Sequence, residues 1–164
     1  MLRCIKEGSQ TRLKTLGLIL LSLILLGAGP SMLTPSAQYR GFLSVGGPGS
    51  SNPPGGLLVI RDQKGLDAFI SRIPPEQITP TRPAPPSDDP LLAHPRIDFG
   101  KSMVLVAYSG SMLTSVEILE IRAEGNSTRV SVKREPVKEM SSVPLGVGRY
   151  HCVVVDRREG PVSE

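Results

Sequence analysis

From Thr15 to Tyr39 the chain carries no charged side chain for 25 residues, and the segment before it holds Arg3, Lys6, Arg12 and Lys14. Its densest part, Leu16 to Ala28, is 13 residues of almost unbroken aliphatic sequence. That is the size of the apolar region of a signal peptide, and shorter than the roughly 20 residues of a full helical span. A stretch this apolar has no polar face with which to lie on a soluble core. Two outcomes fit residues 1–37. A signal peptide is cut where small residues gather, near Gly29-Pro30-Ser31 or Ser36-Ala37, or residues 15–37 stay as an uncleaved, tilted anchor with the basic flank on the cytoplasmic side. Either outcome places the rest of the chain outside the cytoplasm. Cys4 precedes the apolar run instead of following it, which is the wrong order for a lipoprotein.

The net charge changes meaning once this segment is set aside. Of 19 basic and 15 acidic residues, four basic and one acidic fall within positions 1–37, leaving 15 against 14. The exported part is nearly neutral. Its basic pairs, Lys133-Arg134 and Arg157-Arg158, sit in mixed stretches and make no clustered surface for nucleic acid.

With Cys4 on the cytoplasmic flank, Cys152 has no disulfide partner. Within Tyr150–Val155 (YHCVVV) it reads as a small buried hydrophobe on a strand. The neighbouring His151 points to the opposite face and is not placed to activate it.

About 125 residues remain for one domain with its own core. Residues 38–56, glycine-, proline- and serine-rich from position 44 onward, read as a linker, and residues 57–157 as the domain. Within it, Pro74 to Pro95 holds eight prolines and should run as extended surface chain, because proline lacks the amide donor and pushes its predecessor out of helical geometry. Residues 158–164 read as a flexible tail.

Leu57–Arg61 has the composition of a strand. A helix is expected from about Gly65 to Ile73, with Leu66, Phe69, Ile70 and Ile73 on one face and Pro74-Pro75 as its stop. Met103–Tyr108 (MVLVAY) is apolar at successive positions, as in a strand buried on both faces. Val116–Ala123 and Thr128–Lys133 flank a turn at Glu124–Ser127, with Val130 and Val132 facing the core. A loop from Met140 to Gly148 precedes the closing strand, Tyr150–Asp156. The pattern predicts an α+β, mainly β fold, one antiparallel meander sheet carrying one packed helix.

Residues that carry chemistry lack the context that chemistry needs. Gly100-Lys101-Ser102 resembles the end of a phosphate loop, but Pro95 stands where that loop needs glycine and a strand follows where it needs a helix. Asp88, Asp89 and His94 are metal-ligand types in a proline-rich loop, where solvated side chains are the plainer reading. Ser109, His151 and Asp98 supply the types of a hydrolase triad without a Gly-x-Ser-x-Gly elbow. No catalytic residue, metal site, nucleotide site or cofactor is assigned.

The run LLVIRDQKGLDAFI at 57–70, the proline-rich link, Arg96-Ile97-Asp98-Phe99-Gly100-Lys101-Ser102-Met103-Val104-Leu105-Val106, the Gly110 turn, the paired strands and the closing Tyr150-His151-Cys152-Val153-Val154-Val155 together resemble the PrcB carboxy-terminal domain. That family is named for an accessory subunit of a bacterial surface protease complex. The resemblance covers residues 57–157. It implies an extracytoplasmic bacterial domain, periplasmic or secreted when cleaved, that binds or stabilises another envelope protein, such as a protease, and performs no chemistry itself. Where the family commonly shows a Thr-Gly-Gly-Tyr-like run after the turn, this chain has Thr114-Ser115-Val116-Glu117. A bacterial setting also makes Asn126-Ser127-Thr128 a turn sequence before it is a glycosylation site.

The resulting expectation is a non-enzymatic interaction domain, with an envelope hydrolase using His151 and Ser109 as the alternative. Asp98 should cap the turn before the Met103 strand and Phe99 anchor it. Partner contact is expected at the turn Ser111–Glu117, through Met112, Leu113 and Thr114, with Met112 and Leu113 as an exposed apolar pair.

Overall fold

The computed structural model describes residues 29–46, 55–80, 83–137 and 146–164. The apolar segment 16–28, positions 47–54 of the supposed linker and most of the loop expected at Met140–Gly148 lie outside the described residues.

Among the described residues eight strands form two sheets: β1 (Ser31–Met32), β2 (Ala37–Ser44), β3 (Gly55–Ile60), β4 (Ser102–Ser109), β5 (Thr114–Glu124), β6 (Ser127–Pro136), β7 (Val147–Asp156) and β8 (Val162–Ser163). The central sheet runs β2-β7-β4-β3 and is antiparallel throughout. The outer sheet runs β1-β5-β6-β8, with only β6 and β8 parallel. Helix α1 (Gln63–Ile70) covers one face of the central sheet and the outer sheet covers the other. Among the described residues the fold is mainly β, with two sheets and one α-helix in three layers.

This departs from a single meander, because β4 and β5 lie in different sheets. The composition of β4 supplies the reason. Val104 and Val106 face the helix, while Met103, Leu105 and Ala107 face the outer sheet, and all five are fully buried. Burying each large aliphatic side chain is worth about 1.5–3 kcal/mol. A strand apolar on both faces therefore needs cover on both, and one helix covers only one.

Helix α1 begins at Asp62, whose extended backbone and carboxylate, accepting from Gly65 N–H at 2.7 Å, form the N-cap. Leu66, Phe69 and Ile70 are its buried face. It stops at Ile70, before the expected Ile73, because the residue ahead of Pro74 is disfavoured in helical geometry. Ile73 is still buried, held by its N–H to the Ile70 carbonyl.

β5 and β6 are joined by Gly125-Asn126, with Gly125 at φ 58°, the left-handed geometry a two-residue hairpin demands at that position. Val130 is buried and Val132 half-buried, whereas Arg129, Ser131 and Lys133 are exposed.

Three boundaries move. Residues 38–44 are not linker but strand β2, paired along its whole length with β7; Tyr39 and Leu43 pack on the core at alternate positions, the period of a strand. Residues 31–37, assigned to the leader or anchor, belong to the domain: β1 pairs with β5, and Ser36 N–H bonds the Val154 carbonyl at 2.8 Å. The tail is also tied down. Val162 and Ser163 pair with β6, Glu164 bonds Arg134, and Arg158 donates to the Gly125 carbonyl. The proline-rich stretch is partly inserted, since a turn of 3-10 helix at Pro90–Ala93 drives Leu91 into the core, fully buried.

Candidate functional site

His151 lies on β7 between the sheets, 1% exposed. Its Nδ1 accepts the Ile118 N–H at 2.8 Å, at the start of a β-bulge in β5, and its Nε2 lies 3.4 Å from Gln38 Oε1. The first bond requires an unprotonated Nδ1, so the neutral ring carries its proton on Nε2 and gives it to the Gln38 carbonyl oxygen. Burial, reinforced by the Arg40 charge, holds the imidazole below its ordinary value of 6.5.

Ser109, 2% exposed, ends β4. Its hydroxyl donates towards the carbonyls of Ser111 at 2.7 Å and Thr114 at 3.1 Å, and accepts Arg149 N–H at 3.2 Å. It closes the crossover from the central to the outer sheet. Asp98 accepts Gly100 N–H at 3.0 Å, and its carbonyl accepts from Lys101 and Ser102, which makes the turn into β4. Phe99 is partly buried against the helix-side core. The three residues of the hydrolase alternative thus each serve a separate piece of backbone. Burial raises the Cys152 thiol to about 12, far from a reactive thiolate.

The turn at 111–114 is not an exposed apolar pair. Met112 is buried at 4% and its carbonyl accepts from Arg149 Nε at 2.7 Å, while Leu113 is 41% exposed and Thr114 intermediate. Ser111 Oγ accepts Leu113 N–H, and this local turn sends the two side chains apart. Leu113 alone remains a surface residue. Asp88, Asp89 and His94 do not converge either. The Asp89 carboxylate is taken by Leu91 N–H and the Tyr150 hydroxyl, and His94, in left-handed geometry at φ 48°, lies 4.0 Å from Asp67. Among the described residues no group of three His, Cys, Asp or Glu side chains is placed to hold a metal.

A different region gathers the surface features. β2 ends the central sheet, and around Arg40, Gly41 and Phe42 lie two hollows of about 380 and 310 Å³. The larger is bounded across from β2 by Ile73–Ile78 and Ser87–Pro90, the smaller by Ser115, Val116 and Arg149. Arg40 pairs with Glu117 at 2.6 Å, and the Arg149 guanidinium lies 5.2 Å from the centre of the Phe42 ring. The alternation Tyr39, Gly41, Leu43, Val45 was the available strand signal for this region, masked by its place between an apolar run and a glycine-proline stretch. A third hollow, about 250 Å³, lies at β1 and the bulge of β5, beside Met32 and Leu119, which are 57% and 61% exposed.

Comparison with protein-family models, with curated proteins and with solved structures found no match to the chain.

Proposed function

We propose that the chain is an exported bacterial interaction domain without chemistry of its own, an accessory or stabilising subunit of an envelope protease or of another envelope protein. The observation that carries this reading is the fate of Ser109 and His151. Each is buried; the Ser109 bonds hold backbone at a strand end, and the two ring nitrogens of His151 are taken by the backbone of a bulge and by the Gln38 side chain. A nucleophile and its base need a shared hydrogen bond and access to substrate, and these two have neither role free. The resemblance of residues 57–157 to the PrcB carboxy-terminal domain supports the same reading.

The sequence ahead of the domain supports its location. Only Gly29 and Pro30 separate Ala28 from β1, a reach of about 10 Å at full extension. If the apolar segment stays in the bilayer, the face bearing Met32 and Leu119 is held at the membrane surface, where exposed apolar side chains are at home. The test is capture in the cell of origin. Full-length chain tagged after Glu164 is crosslinked in intact cells, solubilised in detergent and purified, and an envelope protein is expected to be retained. Turnover of a peptide or ester substrate by the pure protein, abolished in a folded His151→Gln variant, would overturn the reading.

A further inference from the structure

The geometry points to the outer edge of β2 as a docking site for an extended segment of a partner protein, which adds a strand to the central sheet and sets a lysine or arginine beside Gly41. This rests on the interaction-domain reading above and names the surface through which it works.

The direction of the backbone groups on β2 follows from two bonds. Val45 N–H reaches the Gly146 carbonyl on the β7 side, whereas Ser44 N–H turns the other way, to the Arg72 carbonyl at 2.7 Å. Amide and carbonyl groups along an antiparallel strand alternate between its two edges. Leu43, Gly41 and Tyr39 therefore bond β7, and Phe42, Arg40 and Gln38 direct their N–H and C=O groups away from the sheet. Among the described residues no strand lies beyond β2, and no backbone bond closes these outward groups.

Natural sheets blunt such an edge with proline, lysine, a bulge or a covering loop. β2 has neither proline nor lysine, and its register with β7 is continuous over all eight residues. A loop does cover one end, where Arg72 closes Ser44. Past that point it draws away and leaves the hollow of about 380 Å³ alongside Arg40, Gly41 and Phe42. An added strand lies about 4.8 Å from its neighbour, in the position of this hollow. Strand addition of this kind takes its affinity from main-chain bonds and its selectivity from pockets for alternate side chains.

The chemistry of those pockets selects the partner. On the helix-side face, Gly41 has no side chain, and a Cβ there would stand 1.9 Å from Asp89 Oδ2. Glu76, Asp88 and Asp89 line the hollow, against Arg40 as its cation among the described residues, and Arg40 is turned to the opposite face to meet Glu117. The residue of an added strand opposite Gly41 projects onto this acidic side, which suits lysine or arginine. A second copy of β2 does not supply one, because its own residues on that face are Ala37, Tyr39, Gly41 and Leu43.

The test uses the full chain in lipid nanodiscs and three fluorescein-labelled peptides: Thr-Val-Thr-Lys-Thr-Val-Thr, the same with central glutamate, and the lysine peptide N-methylated at alternate amides. By anisotropy the lysine peptide is expected to bind at least ten-fold more tightly than either of the others, and to slow amide exchange at Arg40 and Phe42. Arg40→Pro removes one outward donor where proline is tolerated on an edge, and should cost at least ten-fold in affinity; Arg40→Ala, which keeps the amide, should stay within three-fold. No binding of the lysine peptide, equal binding of lysine and glutamate peptides, or unchanged exchange at Arg40 and Phe42 would overturn the proposal, and the exchange measurement stands even if Arg40→Pro fails to fold. Retention of a cellular partner by folded Arg40→Pro would also overturn it while leaving the interaction-domain reading intact; failure of wild-type chain to capture any envelope protein would count against that reading instead. A dimer of the wild-type chain that Arg40→Pro dissolves would replace the partner segment with a second copy.

Discussion

Tyr150 donates its hydroxyl to the carboxylate of Asp89, 2.7 and 2.8 Å from its two oxygens, across 61 positions of sequence. The contact joins three parts of the fold. Asp89 also accepts Leu91 N–H at 3.0 Å and so starts the helical turn that drives Leu91 into the core. Tyr150 and Phe69 of α1 meet at right angles with ring centres 5.2 Å apart. Gly41 passes beneath Asp89 and Tyr150, close enough that a methyl group would meet them. Burial and the neighbouring carboxylate raise the phenol far above its ordinary value, so it remains a donor across the physiological range.

Removing that donor leaves a half-buried carboxylate short of a partner. Tyr150→Phe is expected to cost about 1.5–3 kcal/mol in urea unfolding, the range for hydrogen bonds to charged groups. Gly41→Ala should cost about 1–3 kcal/mol by overpacking. Because the added methyl collides with Asp89 itself, Gly41→Ala combined with Asp89→Ala should fall short of the sum by at least about 0.5 kcal/mol. Strict additivity would show that Gly41 does not feel Asp89.

His151 makes stability depend on pH, with a sign set by its depressed folded value. The unfolded chain protonates near 6.5 and the folded chain only at lower pH, so the unfolded state binds more protons below that point. The contribution is complete above about pH 6.5 and is lost as pH falls towards the folded value. Unfolding titrations between pH 8 and 5 should show this loss in wild type and in His94→Ala, and a flatter profile in a folded His151→Gln. An equally steep profile in His151→Gln would assign the effect to other groups.

Much of the domain was legible because its signals are local. The 3.6-residue spacing of Leu66, Phe69 and Ile70, the two-residue hairpin at Gly125, and the apolar run at Met103–Tyr108 each reflect one element meeting the core. The division into two sheets was not legible, since it depends on which layer covers the second face of β4, a choice made by residues far along the chain. β2 was hidden by its surroundings, and β8, at two residues, is too short to show a period. The turn at Met112 failed for a similar reason. Adjacent apolar residues say nothing of which one turns inward; the bond from Arg149 to the Met112 carbonyl fixes that.

Val106 tests the three-layer arrangement. It is fully buried on the helix side of β4, an inner strand of the central sheet, opposite Leu58 and Cys152 on its neighbours. An aspartate there has no cation within the apolar cluster to pair with, and burying it costs several kcal/mol against a total stability of roughly 5–15 kcal/mol. Val106→Asp should therefore yield unfolded or aggregated chain. Soluble protein with an unchanged melting temperature would place β4 outside the core.

If the segment ahead of the domain is a cleaved leader, as proposed above, the site of the cut decides whether β1 survives. Of the two clusters of small residues, processing after Ala37 would remove Ser31–Met32 from the edge of the outer sheet. It would also remove the bond from Leu33 N–H to the Ile121 carbonyl and both bonds from Ser36 to Val154, which tie the outer sheet to the central one. At about 1 kcal/mol per net hydrogen bond, the loss is roughly 2–3 kcal/mol, or on the order of 10 °C in melting temperature for a domain of this size. Processing after Ser31 trims that one residue from β1 and keeps the Leu33 and Ser36 bonds, and an uncleaved anchor loses nothing. Mass spectrometry of the mature chain should therefore find an amino terminus at or before Met32, and deletion of residues 29–36 should lower the melting temperature by about that amount. A natural amino terminus at Gln38, with melting unchanged when residues 29–37 are restored, would show that β1 contributes nothing to the mature fold.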